Sequence, residues 1–184
     1  MADQNNTVKS DAGGIPGATI QLLTFVLDDE IYGADINQIQ EVLEYRRVTR
    51  VPRTPDYLLG VINLRGQVLP VVDLRHLFEM HRADMTVNTC IVIVEVSVDG
   101  ENVALGILAD AVREVIELPV SDINPPPRIG SRIDTKFISG MGKYHDEFIV
   151  ILNLSKVMGD EDLGDVYEAV SATKDMADTV PASE

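Results

Sequence analysis

GVINLRGQVLPVVDLRHLF, from Gly60 to Phe78, decides the fold of this 184-residue chain. Two apolar runs, VINL and QVLPVVDL, flank Arg65-Gly66. A two-residue step of that kind between apolar runs predicts a β-hairpin with Arg65 and Gly66 at its tip. Pro70 has no N–H to give a ladder, so it is expected at a sheet edge or a bulge. An arginine at the tip of an apolar hairpin has two jobs open to it. Its stem covers apolar surface while its head stays wet, or its planar fork is offered to a partner's carboxylate or carbonyl. Composition leaves both open.

Working outward, TIQLLTFVL and EIYGADI read as strands joined by a tight acidic turn at Asp28-Asp29. INQIQEVLEY places Ile36, Ile39 and Leu43 at helical spacing and predicts a short amphipathic helix or turn. RRVTRVPR is strand-like, and its Arg46, Arg47, Arg50 and Arg53 are expected to pair with nearby acids such as Glu41 and Glu44. NTCIVIVEVSVDGENVALGIL predicts a second hairpin about Asp99-Gly100, with Cys90 a buried thiol. VREVIEL reads as a further strand, NPPPRIGSR as an irregular loop, and KFISGMGKYHDEFIVILNLSKVM as a hairpin about His145-Asp146. Residues 1–18 are expected to be a flexible arm, 19–158 the folded domain, and 159–184 an acidic helix and tail.

The chain repeats itself. GADINQIQEVL (Gly33–Leu43) lies over GILADAVREVI (Gly106–Ile116) at an offset of 73, so Gly33 meets Gly106 and Ile39 meets Val112. GVINLRGQVLPVVDLRHLF lies over GMGKYHDEFIVILNLSKVM (Gly140–Met158) at an offset of 80, so Gly60 meets Gly140 and Leu74 meets Leu154. Two blocks in the same order outweigh chance similarity between apolar strands. Two such halves predict a mainly β fold of two small barrels or curled sheets about a pseudo-two-fold axis. The groove between them is the natural binding place.

Charge and motifs exclude more than they select. The formal charge is −15, of which −7 lies in residues 159–184; a chain this acidic is repelled by phosphate backbones and anionic lipid. The polar N-terminus has neither a basic start nor an apolar core of a signal peptide, which points to a cytoplasmic location. His76, His81 and His145 carry no metal-ligand spacing, and no metal or cofactor is expected. ISGMGKYH fails as a phosphate loop, because Phe137 stands where its first glycine should be and Tyr144 where Ser or Thr should follow the lysine. The acids are scattered and the histidines isolated, so no catalytic constellation emerges.

YGADINQIQEVLEYRRVTRVPRTPDYLLG followed by GVINLRGQVLPVVDLR resembles the CheW family of bacterial chemotaxis adaptors. The resemblance runs from about Gln21 through Met158 and takes in both halves and the PPP loop before KFISGMG. It implies two intertwined, SH3-like five-stranded β-barrels, no catalysis, and a scaffold linking chemoreceptors to the histidine kinase CheA. It further implies that the receptor's helical hairpin tip docks between the barrels. Carried over position by position, the receptor-facing residues are Ile39, Glu41, Arg65, Val112 and Val115. Gly60 and Gly66 serve the hairpin, and Ile129 matches a contact with CheA's regulatory domain. The adaptor is expected to be monomeric alone and to associate with receptor arrays at the inner membrane. The same apolar positions read equally well as core. The rival reading is a CheV-type fragment, or a sensor holding a small molecule in the groove; only 26 residues follow Met158, too few for a CheV receiver domain.

Overall fold

In the computed structural model the described residues are 17–81, 83–98, 100–127, 133–157 and 166. They form ten strands: β1 (Thr19–Leu27), β2 (Glu30–Asp35), β3 (Ile39–Glu44), β4 (Leu58–Leu64), β5 (Gln67–Asp73), β6 (Cys90–Val98), β7 (Glu101–Ala109), β8 (Ala111–Pro119), β9 (Ile138–Tyr144) and β10 (Glu147–Leu152). One-turn helices α1 (Leu74–Leu77) and α2 (Leu154–Val157) follow β5 and β10. The strands make two mixed five-stranded sheets, ordered β8-β1-β2-β10-β9 and β3-β6-β7-β5-β4.

The two orders are one topology written twice. Replacing each strand by its repeat counterpart turns the second sheet into the first, so each half lends strands to both sheets. Register carries the same message: parallel β10 and β2 set Ile151 beside Gly33, and parallel β5 and β7 set Val71 beside Gly106. Those are the positions the two sequence offsets equate. Each sheet also closes on itself. The chain leaving β3 bridges from Thr49 to Val61 of β4, and the chain leaving β8 bridges from Asn124 to Met141 of β9. Both bridges carry paired backbone hydrogen bonds of 2.7–2.9 Å.

Three cores result. One fills the second sheet's interior, with Ile62, Leu69, Val71, Ile91, Ile93 and Leu108. Another fills the first, with Leu22, Ile116, Leu118, Ile149 and Ile151. The largest lies between them. Along β6, Ile91 and Ile93 enter the interior core while Val92, Val94 and Val96 face the shared one. Burial on both faces is why CIVIVEV lacks a polar alternation. Phe25, Tyr32, Phe78 and Phe137 cross the shared core as neighbouring rings, 5.9–6.4 Å between centroids. Tyr32 donates its hydroxyl to Glu30 at 3.1 Å, and burial drives that hydroxyl's pKa upward. Phe78→Ala would break this array in the middle, and the cost expected in urea denaturation is about 3–5 kcal/mol.

Polar links join the barrels as well. Buried Arg75 reaches the carboxylate of Asp110 and donates to the His81 carbonyl at 2.9 Å. Asp110 in turn accepts the Asp28 N–H at 2.9 Å, in the β1–β2 turn. Asp73 caps α1 by accepting the Arg75 N–H at 2.9 Å; burial raises its pKa. Its repeat counterpart Asn153 accepts from Lys156 at α2.

Several sequence expectations need correction. Ile36–Gln38 is a 3-10 turn, and Ile39 to Glu44 is strand β3 rather than helix. RRVTRVPR makes only the bridge at Thr49. Cys90 is half-buried, its thiol donating to the Asn88 carbonyl at 3.1 Å. Pro70 lies in β5, an interior strand, where no donor is missed. Its opposite number Val61 spends both backbone groups on Thr49, and pairing with β7 begins only at Val71. The expected acidic helix at 159–184 falls almost wholly outside the described residues. Val166 is helical and fully buried in the shared core.

Candidate functional site

β3 and β8 occupy equivalent edges of their sheets. Each carries a bulge: β3 skips Gln40 between Ile39 and Glu41 against β6, and β8 slips between Val112 and Val115 against β1. A bulge resets which face the next side chains take. Ile39 therefore lies beside Val94, and Val112 beside Phe25; both are half-buried against the shared core. Farther along, Val42 lies beside Val92 and Val115 beside Leu23. Here the core runs out, leaving Val42 41% and Val115 50% exposed. Each barrel thus offers one half-buried and one exposed aliphatic side chain on its edge strand, flanking the same core.

Arg65 and Gly66 form the two-residue turn between β4 and β5, with φ of 51° and 84°. Positive φ at both central residues is the turn whose twist matches paired strands. Gly66 takes it without strain and donates its N–H to Asn63 Oδ1 at 3.0 Å. The turn aims Arg65 back over β3, where its guanidinium meets Glu41 in a two-pronged pair, Nη1–Oε1 2.6 Å and Nη2–Oε2 3.0 Å. The Arg65 hydrogen bond holds the Glu41 carboxyl below the usual carboxylate range, with the charges of Arg65 and Arg46 adding to it. The Arg65 side chain remains 73% exposed, so the pair stands at the surface as a preformed polar fork.

That pairing alters two expectations. Glu41 is taken by Arg65, 24 residues away, and not by the nearby arginine run. Among the described residues Arg46, Arg47, Arg50 and Arg53 make no ion pair; Arg46 only approaches the Asn63 carbonyl at 3.4 Å. For Arg65, the two jobs open to it, a covering stem or a donor to a partner, are joined by a third, since its fork is shared with Glu41 within the chain while the side chain stays exposed.

Of the expected site residues, the structure puts Glu41 with Arg65, and Ile39 in the same strand as Glu41. Val112 and Val115 occupy the equivalent strand of the other barrel. Gly60, at the base of the hairpin, has φ of 147° and sits against Thr49. Ile129 lies outside the described residues. Sequence reasoning passed over Val42, although the repeat sets it opposite Val115 and so contained the signal. Among the described residues no cluster of three or more His, Cys, Asp or Glu side chains is placed to hold a metal ion.

The chain is similar to known proteins over most of its length. The CheW-like domain matches residues 21–162. The chemotaxis protein CheW of Klebsiella aerogenes is 32% identical over 157 residues, 85% of this chain and 91% of the relative. Protein FrzA of Myxococcus xanthus is 34% identical over 140 residues, 75% of this chain and 84% of the relative. The crystal structure of the scaffolding protein TtCheW from Thermoanaerobacter tengcongensis matches with a TM-score of 0.70 at 34% identity, covering 79% of this chain and 91% of that one. With the hairpin and repeat that decide its architecture inside the matched span, the chain belongs to the CheW family.

Proposed function

We propose that a chemoreceptor's helical hairpin tip docks against Ile39, Val42, Val112 and Val115, with the Glu41–Arg65 pair setting its register. A CheW-family chain is a non-enzymatic scaffold that couples chemoreceptors to CheA. The observation that carries the site is the two-fold-related pair of exposed valines, one on each barrel's edge strand, with the Glu41–Arg65 fork at the next position of β3, on the other face of that edge strand. A helix laid between the barrels would bury both valines with an apolar stripe at i, i+3, i+4 spacing. The fork, reached around the exposed edge of β3, would then meet polar groups flanking that stripe, where charge sets orientation more than affinity.

CheA's regulatory domain is proposed to bind elsewhere, through the segment that carries Ile129. Among the described residues no helix is long and apolar enough to cross a membrane; receptor docking would itself hold the protein at arrays on the inner membrane. Co-sedimentation with receptor-bearing membranes tests the groove. Val42→Asp and Val115→Asp should each weaken pelleting roughly tenfold, and the double variant should abolish it, because a carboxylate cannot follow a valine into an apolar contact. A double variant that pellets like wild type would remove the groove from the reading.

A further inference from the structure

The repeat equates Val61 with Met141 and Val68 with Phe148 at the offset of 80, yet the two halves treat these positions differently. In the first half Val61 is buried in the shared core and Val68 packs against it. In the second half neither Met141 nor Phe148 belongs to that core, and Phe148 on β10 is 66% exposed, more than any other phenylalanine or tyrosine among the described residues. Phe148 borders a cavity of about 570 Å³ whose apolar wall is Ile31, Ile133, Ile138, Met141 and Val150. An aromatic ring left open beside a preformed apolar hollow is the arrangement that anchors protein partners.

The rim states what partner fits. Its charged residues are Asp29, Glu30, Glu147 and Arg113. Arg113 is taken by Glu147 at 3.1 Å, and Lys143, opposite Phe148 in the ladder, is engaged by Asp146 at 3.6 Å. Asp29 and Glu30 leave the mouth negative. We propose that this cavity docks a protein segment presenting a bulky apolar side chain flanked by lysine or arginine. The apolar group seats against Phe148 and Met141, and the flanking cation faces Asp29 and Glu30. This surface is built mainly from β2, β9 and β10, reaching Arg113 of β8 and Pro127 and Ile133 at its border; neither exposed edge valine lines it, and it does not rest on the receptor reading.

The test titrates the isotope-labelled full chain with acetyl-Lys-Phe-Lys-amide, following amide and methyl resonances. Saturable shifts are expected at Ile31, Met141, Phe148 and Val150. Acetyl-Lys-Ala-Lys-amide and acetyl-Glu-Phe-Glu-amide should bind at least roughly tenfold more weakly, since each lacks one of the two recognised features. Phe148→Ser, a change at an exposed site, should lose the interaction with the rest of the spectrum intact, and Asp29→Asn with Glu30→Gln should weaken it. Arg65→Glu should leave it unchanged, which separates this site from the groove. Equal shifts from the alanine peptide would reduce the site to bulk charge and overturn the proposal. Equal binding of the glutamate peptide, retention in Phe148→Ser, or no cavity shifts up to roughly 10 mM peptide would overturn it as well.

Discussion

Arg65→Glu is expected to abolish co-sedimentation with receptor-bearing membranes while the protein melts within about 3 °C of wild type. The side chain lies at the surface, so its pair with Glu41 contributes little to folding. What the reversal destroys is the shape of the polar edge. Two carboxylates would face each other where a guanidinium fork now meets one, and repulsion would push the hairpin tip off β3. A partner helix seated over Ile39 and Val42 would then meet a displaced tip and uncompensated negative charge. That combination opposes docking through geometry and field together.

The exchanged variant Glu41→Arg with Arg65→Glu separates the two contributions. It can rebuild a two-pronged pair with its ends swapped, because the strand and the tip remain adjacent. Recovery of pelleting would show that the partner reads the position of the tip. Continued failure would show that it reads the guanidinium itself, as the planar donor that Arg supplies and Glu cannot. Binding in either case should weaken with rising salt, since the fork is solvated. Pelleting of Arg65→Glu at the wild-type level would place receptor docking away from this hairpin.

The hairpin, the repeat and the pairing of its halves were legible because they rest on local rules. A turn with positive φ at both central residues favours glycine at the second, as at Gly66 between apolar runs, and the offsets 73 and 80 survive as residue-to-residue register in the two parallel pairs. What misled was geometry set from a distance. Ile39 and Leu43 sit at helical spacing yet serve different cores, Ile39 the shared one and Leu43 the second barrel's interior, because the bulge at Gln40 interrupts the two-residue alternation of an edge strand; a bulged strand and a helical turn leave similar traces in sequence. The partner of Glu41 was missed for a related reason. Neighbouring arginines are closer along the chain, but barrel closure brings the hairpin tip across the seam to β3. The exposed phenylalanine had no signal at all, since its counterpart Val68 packs onto the core from an equally apolar strand.

Gly60→Ala should be the most damaging single methyl in the described structure. Gly60 is buried at a φ of 147°, a backbone setting that side chains avoid. An added Cβ would stand 2.0 Å from the Thr49 carbonyl oxygen and 2.7 Å from its carbon. Both are backbone atoms, so no rotamer change can relieve the clash. The atoms in the way belong to the bridge that closes the second barrel, where Thr49 and Val61 exchange hydrogen bonds of 2.9 and 2.8 Å. Relief would require the segment after β3 to lift away from β4, opening the seam that the Glu41–Arg65 pair spans. The expected loss is about 4 kcal/mol or more, a fall in melting temperature of roughly 10 °C, or failure to fold. If the variant folds, receptor binding should fall with stability, whereas Arg65→Glu loses binding alone. A Gly60→Ala protein that melts and pellets like wild type would mean that the hairpin base is not held against Thr49, and that barrel closure does not depend on this bridge.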